Sequence, residues 1–303
     1  MRMVRPITIT DAILLSSNVA ETDYAAYAAG TTYALGARVI LVSTHKIYES
    51  AQAGNVGHNP PDNLTGATPW WLEVGATNRW RMLDGLVGSQ TTNADTIELS
   101  LDTSEQSSVN FLQLEAASLS IEVTDNATST VVYSETFSLI SDKNITDGWT
   151  YFFEPFIFTR NRSIGIPLLA DSTTAITISN LTGTAKCGEV LVGNSTFIGH
   201  VAYGAEIGIT DFSVKQEDEW GNYSYLDRPW AKRGTFSIQI DNYRLEYIFD
   251  LFTDVRPAPV LWIPDDGEKI RSLAMIYGKF KDFRVIVQYP QLSICSLELD
   301  GLI

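Results

Sequence analysis

A chain of 303 residues with 45% hydrophobic content is long enough for two or three domains with real cores, which excludes a disordered polypeptide. Its 21 basic and 36 acidic side chains leave a net charge of −15. Such a charge repels phosphate backbones and anionic bilayers and argues against nucleic acid and membrane insertion. The two cysteines, Cys187 and Cys295, are too few for a disulfide framework or a four-ligand zinc site and read as buried thiols.

Residues 1–20 read as an N-terminal arm. The apolar run Ala12 to Leu15 falls short of a signal peptide, and no later stretch reaches the 18 apolar residues of a membrane span. Ile7 and Ile9 alternate with Thr8 and Thr10, a pattern that suits a strand packed on its own domain or one added to a neighbour.

Residues 21–78 are dense in aromatics and turn formers, so the strands must be short and the core small. Tyr33-x-x-Gly36-x-x-Val39, Tyr48-Glu49-Ser50, Asn59-Pro60-Pro61 and Trp70-Trp71-Leu72 follow in order. This series resembles the chitinase-type carbohydrate-binding module. The resemblance implies a small twisted sheet whose rings, here Tyr33, Tyr48, Trp70 and Trp71, stack on sugar faces. Core duty for the same rings is the competing reading. Adjacent residues of a strand point to opposite faces, so one of Trp70 and Trp71 belongs inside and the other outside.

The stretch Thr77 to Leu101 joins this unit to the next: Asp84-Gly85 and Gly88-Ser89 break the chain before alternation begins at Ile97. Over residues 79–199, Ile97, Leu99 and Leu101 mark one buried strand face, and Leu119, Ile121 and Val123 another. Ile176 and Ile178 continue the pattern, and Val190 to Gly193 closes it. No helical period interrupts, which predicts an antiparallel β-sandwich. The Asn93-Ala94-Asp95 turn, the strand Ser118 to Thr124 and the ending Cys187 to Gly193 resemble a galactose-binding-like jelly roll. Asp84, Asp95 and Glu189 are too scattered for a calcium loop, and no metal is expected. The aromatic run Trp149 to Phe158 suits a central strand or a subunit contact.

Residues 200–303 read as a C-terminal β domain with one helix. Strands are predicted at Ile207 to Val214, Thr235 to Ile240, Val260 to Ile263, Met275 to Tyr277, Phe283 to Val287 and Ser293 to Leu299. Asp241 to Phe252 is the helix, with Asn242 as its cap and Leu245, Ile248, Phe249 and Phe252 as its apolar face. The segment Lys215 to Tyr223 reads as a solvated hairpin that docks on an adjacent subunit. Trp220, Tyr223 and Phe249 are the contact residues proposed from sequence.

Catalysis finds no anchor. His45, His58 and His200 lie in three segments, no nucleophile elbow, zinc-protease or phosphate-loop motif occurs, and no cofactor is implied. The order of Arg5 to Asp11, Thr77 to Gly85, Tyr203-Gly204-Ala205, Lys232 to Thr235 and Cys295 to Leu302 resembles tail proteins of tailed bacteriophages and prophages. That resemblance covers nearly all the chain. It implies a multi-copy structural protein of a tail tip or baseplate, made in the host bacterial cytoplasm and carried in the virion. Its partners would be other phage tail proteins, copies of itself and a host cell-surface glycan. A glycan-binding receptor adhesin and a polysaccharide hydrolase are the alternatives.

Overall fold

The computed structural model describes residues 1–141, 145–154, 157–217, 220–264, 271–287 and 289–302. The chain is mainly β: a small aromatic-rich unit, a β-sandwich and a C-terminal β domain follow one another.

The small unit is a three-stranded antiparallel sheet of Arg38–Leu41, Lys46–Ser50 and Trp71–Ala76. Glycine-rich turns keep its strands short, so aliphatic residues alone cannot fill its interior. Val39, Tyr48 and Trp71 form the core, with Tyr27, Tyr33, Leu41, Leu64 and Trp70 packed around them. Its edge is fastened to the body by polar contacts. His45 stacks on Trp80 with ring centroids 4.0 Å apart, and Thr77 Oγ1 donates to Glu21 at 2.8 Å. Asn78 then clamps Thr92 by donating to its carbonyl at 2.7 Å and accepting from its amide at 2.9 Å. The joint expected between Thr77 and Leu101 is therefore a hydrogen-bonded corner that delivers the chain into the first long strand, Thr91–Asp102.

In the sandwich, one layer is a five-stranded sheet in the order Leu14–Ser17, Thr91–Asp102, Ser172–Cys187, Ser118–Asp125 and Thr130–Ser138. Its inward residues Ile97, Leu99, Leu101, Leu119, Ile121, Val123, Ile176 and Ile178 meet Val109, Phe111, Val190 and Val192 of the facing layer. Each fully buried aliphatic contributes about 1.5–3 kcal/mol. The period-two spacing that announced these strands is thus the spacing that fills the core.

The facing layer does not stop at residue 199. Arg162–Gly165, Ser108–Leu112 and Glu189–Phe197 belong to a ten-stranded sheet that continues through Arg2–Pro6 into Val260–Ile263, Ile276–Ile286, Leu292–Gly301 and Trp230–Asp241. Residues 1–20 are accordingly no separate arm. Arg2–Pro6 is the central strand that joins sandwich to C-terminal domain, paired on one side with Glu189–Phe197 and on the other with Val260–Ile263. Gly193 marks the crossing, where an added Cβ would stand 2.1 Å from the Arg5 carbonyl oxygen.

Over the C-terminal half of this sheet lies a helix, Leu245–Val255, entered through a 3₁₀ turn at Asn242–Arg244. We label it α2, after a shorter helix α1 at Gly148–Phe153. Ile248, Phe252 and Val255, spaced by four and three, are buried; Phe252 stacks on Phe283 at 4.0 Å. Phe249 is turned out to solvent, so the apolar face is narrower than the sequence spacing suggests. Asn242 does not cap the helix; its side chain donates to the Tyr289 carbonyl and accepts from Ser293 Oγ, tying the turn to a strand. A short helix at Arg271–Ala274 hangs beside the same sheet.

The run Trp149 to Phe158 departs from the expected strand. Gly148–Phe153 is helical, started by a capping box in which Asp147 accepts from the Thr150 amide at 2.8 Å. Among the described residues of that run, Ile157–Phe158 alone pairs as a strand, with Ile140–Ser141. Pro155 and Phe156 of that run lie outside the described residues, as do Asp218 and Glu219 of the Lys215 to Tyr223 segment.

Candidate functional site

The four rings proposed for sugar contact do not form one platform. Trp71 is fully buried: its Nε1 donates to the His58 carbonyl at 2.8 Å, and its ring meets Tyr33 and Tyr27 edge-on. Tyr48 is only 1% exposed and its hydroxyl lies 3.1 Å from Thr44 Oγ1. Both are core residues, and this corrects their assignment as ligand contacts. Tyr33 is half-buried against Tyr27, with its hydroxyl accepting from the Ala28 amide at 2.8 Å. Trp70 remains half-exposed, lying flat on the His58 ring with centroids 3.9 Å apart. Trp70 stands just before the strand Trp71–Ala76 and is half-exposed, while Trp71, the strand's first residue, points inward.

Elsewhere the aromatics point out. On α1, Trp149 is 70% exposed and Phe152 76%, with Tyr151 and Phe153 beside them. None of the four belongs to a core cluster. A second projection is the hairpin of Val214–Glu217 and Tyr223–Leu226. Here Trp220 is 86% exposed, Tyr223 and Tyr225 are exposed beside it, and the Lys215 ammonium sits 3.3 Å from the Tyr223 ring centroid. The outer side of α2 and its entry turn form a third, with Tyr243, Tyr247 and Phe249 exposed. The structure therefore places Trp220, Tyr223 and Phe249 where another molecule can reach them, on two different elements. Sequence reading allowed a subunit contact for this run but missed that it is helical, although Asp147 three residues before Thr150 is a helix-start signal.

One acidic pair lies inside the body. Glu189 is buried, with Oε1 accepting from the Gly85 amide at 3.2 Å and Oε2 making no hydrogen bond. Burial, followed by the charge of Asp84, pushes its carboxyl up to about 9. Asp84 is also raised by burial, although the Leu86 amide and Ser89 hydroxyl partly offset this. Burial and the same two carboxyls push the Tyr277 phenol up to about 12. At neutral pH this group holds at least one proton on Glu189. Asp95, the third acid considered for calcium, takes a positive φ of 58° in the strand Thr91–Asp102. Among the described residues no group of three or more His, Cys, Asp or Glu side chains is arranged to hold a metal ion. Cys187 and Cys295 are both buried free thiols, and burial pushes both upward. No helix of the described residues is long and apolar enough to cross a membrane.

No protein-family model and no curated protein sequence matches the chain. Among solved structures, the lectin domain of lectinolysin complexed with Lewis B antigen is similar to part of it, at 13% identity and a TM-score of 0.27. That match covers 39% of this chain and 84% of the lectin domain. A likeness of this size carries no argument about what the chain binds.

Proposed function

We propose that the chain is a multi-copy structural subunit of a bacteriophage tail tip or baseplate. Its contacts run through α1, the Val214–Glu217 hairpin and the outer side of α2, and residues 21–78 stand at the particle surface. The observation that carries this reading is the set of exposed rings on three separate projections, each outside every core cluster. Aromatic side chains exposed in groups are enriched at protein interfaces because they bury large areas at small entropic cost. The order of sequence motifs supplies the tail assignment.

Sedimentation velocity over a wide concentration range tests the assembly. The native chain should associate, alone or with co-expressed tail proteins, and a chain with Trp149, Tyr151, Phe152 and Phe153 replaced by serine should not. Antibody raised against residues 21–78 should decorate one end of a phage tail in electron micrographs. A chain that is absent from the particle sinks the tail reading.

A second reading, a glycan-binding adhesin, rests on the Trp70 ring, which is half-exposed and held flat by His58. Sugar faces stack on such rings. Trp70→Ala should then abolish retention of the full chain on a glycan surface while the chain stays folded by circular dichroism at the assay temperature. Equal retention of both chains would remove this reading.

A further inference from the structure

Where sandwich and C-terminal domain meet, on the face of the ten-stranded sheet opposite α2, lies a pocket of about 340 Å³. That is within the size range of small-molecule sites, which form preferentially between domains. One wall is apolar, made by Val87, Leu112, Met275, Tyr277 and the half-exposed ring of Trp230. The other carries Gln90, Gln113, Glu115, Arg160, Asn161 and Lys232.

The cations on this wall are not equivalent. The Lys232 ammonium is occupied, donating to the carbonyls of Ser272, Leu273 and Met275 at 3.2–3.4 Å. The Arg160 guanidinium makes no hydrogen bond or ion pair among the described residues, and its charge bears on Lys232, adding to the burial that lowers that amine to about 8. Among the described residues, two cations thus share a pocket without an anion between them. The acids nearby do not supply one. Glu115 is paired with Lys186 at 2.8 Å, and Glu189, behind the floor, keeps its proton at neutral pH. In a chain of net charge −15 this is a locally positive hollow.

Gln113 adds a built feature. Its backbone is held in the left-handed region at φ 54°, its amide accepted by Asn161 Oδ1 at 3.1 Å and its carbonyl receiving Gln90 Nε2 at 3.0 Å. Gly188 makes room for it, since a Cβ there would stand 2.7 Å from Gln113 Cβ. The Gln113 carboxamide itself has no hydrogen-bond partner among the described residues. Strained backbone maintained by surrounding contacts is characteristic of binding sites.

We propose that this pocket binds a carboxylate-bearing saccharide unit, with Arg160 taking the carboxylate, Trp230 carrying the apolar sugar face and the Gln113 carboxamide meeting a hydroxyl. A guanidinium suits a carboxylate because its planar fork donates two parallel hydrogen bonds. A bare carboxylate would leave the aromatic wall unused, and an aliphatic acid would bury the amides without partners. A sugar acid satisfies all three. The inference stands apart from the tail reading, because it uses none of the three projecting aromatic surfaces.

Calorimetry on the full chain tests it, with galacturonate, N-acetylneuraminate, galactose, acetate and octanoate as probes. At least one sugar acid should bind, with galactose and acetate at least about tenfold weaker. Arg160→Gln should weaken the sugar acid by about tenfold or more and leave the melting temperature unchanged, since the side chain is exposed and makes no hydrogen bond or ion pair among the described residues, while the backbone bond from the Leu114 amide is kept. Trp230→Ala should weaken it independently. The proposal is overturned if neither sugar acid binds, if Arg160→Gln binds as the native chain does, or if octanoate or acetate matches the sugar acids.

Discussion

In the unit of residues 21–78 the rings turn inward: Tyr27, Tyr33, Tyr48 and Trp71 pack on one another around Val39. In the body they are largely turned out on projections, while Ile, Leu and Val of the long strands fill the sandwich. The same kind of sequence, dense in tryptophan, tyrosine and phenylalanine, therefore has opposite meanings in the two regions. What separates them is the supply of aliphatic strand residues. A sheet of four- to six-residue strands cannot bury enough aliphatic surface, and one large ring replaces several methyl groups. Strands of 12 and 16 residues bury aliphatic side chains instead and carry no ring at all.

Substitutions sharpen this contrast. Trp71→Ala removes the largest buried ring of the small unit and its hydrogen bond to His58. It should cost about 3–5 kcal/mol, read by chemical denaturation, and unfold that unit before the body. Glu189→Gln probes the body, where a carboxyl stands among buried groups. The folded chain keeps the Glu189 proton up to about pH 9, whereas the unfolded chain releases it near the ordinary value of 4.5. Native stability should therefore fall as pH rises through that window, and Glu189→Gln, which cannot ionise, should flatten the fall. Melting temperatures from pH 4 to 10 would show this; parallel curves would contradict it.

Smaller effects follow in each region. Tyr48→Phe deletes only the hydroxyl near Thr44 and should cost about 0.5–1.5 kcal/mol by denaturant titration. Replacing Trp149, Tyr151, Phe152 and Phe153 by serine should shift stability by about 0.5 kcal/mol or less per site, although these rings are as large as those of the small unit. A multi-kcal loss on α1 would mean that its rings belong to the core after all.

Much of the fold was readable because it is local. Ile97 to Leu101, Leu119 to Val123 and Ile176 to Ile178 carry period two in plain sight, and the buried spacing of Ile248 and Phe252 marks α2. What lies between distant segments was not readable. Arg2–Pro6 pairs with strands that begin at Glu189 and Val260, and nothing within its five residues states those partners. The pairing of Tyr48 runs through a register shift in the neighbouring strand, with Ile47 opposite Gly75 and Tyr48 opposite Glu73, which no local pattern announces. At α1, six residues are too few for periodicity to register, and only the Asp147 and Thr150 pair signals a helix. The pocket at Arg160 draws its residues from separated loops and strands, so no motif could contain it.

The inward and outward partition of the rings, with its assignment of the outward set to assembly, is the central claim. Hydroxyl-radical footprinting of the full chain, dilute and assembled, tests it residue by residue. Trp71 and Tyr48 should stay protected in both states, while Trp149, Phe152 and Trp220 should react rapidly when dilute and become protected on assembly. Equal labelling of Trp149 and Trp71 in the dilute chain, or unchanged labelling of Trp149, Phe152 and Trp220 on assembly, would contradict the account.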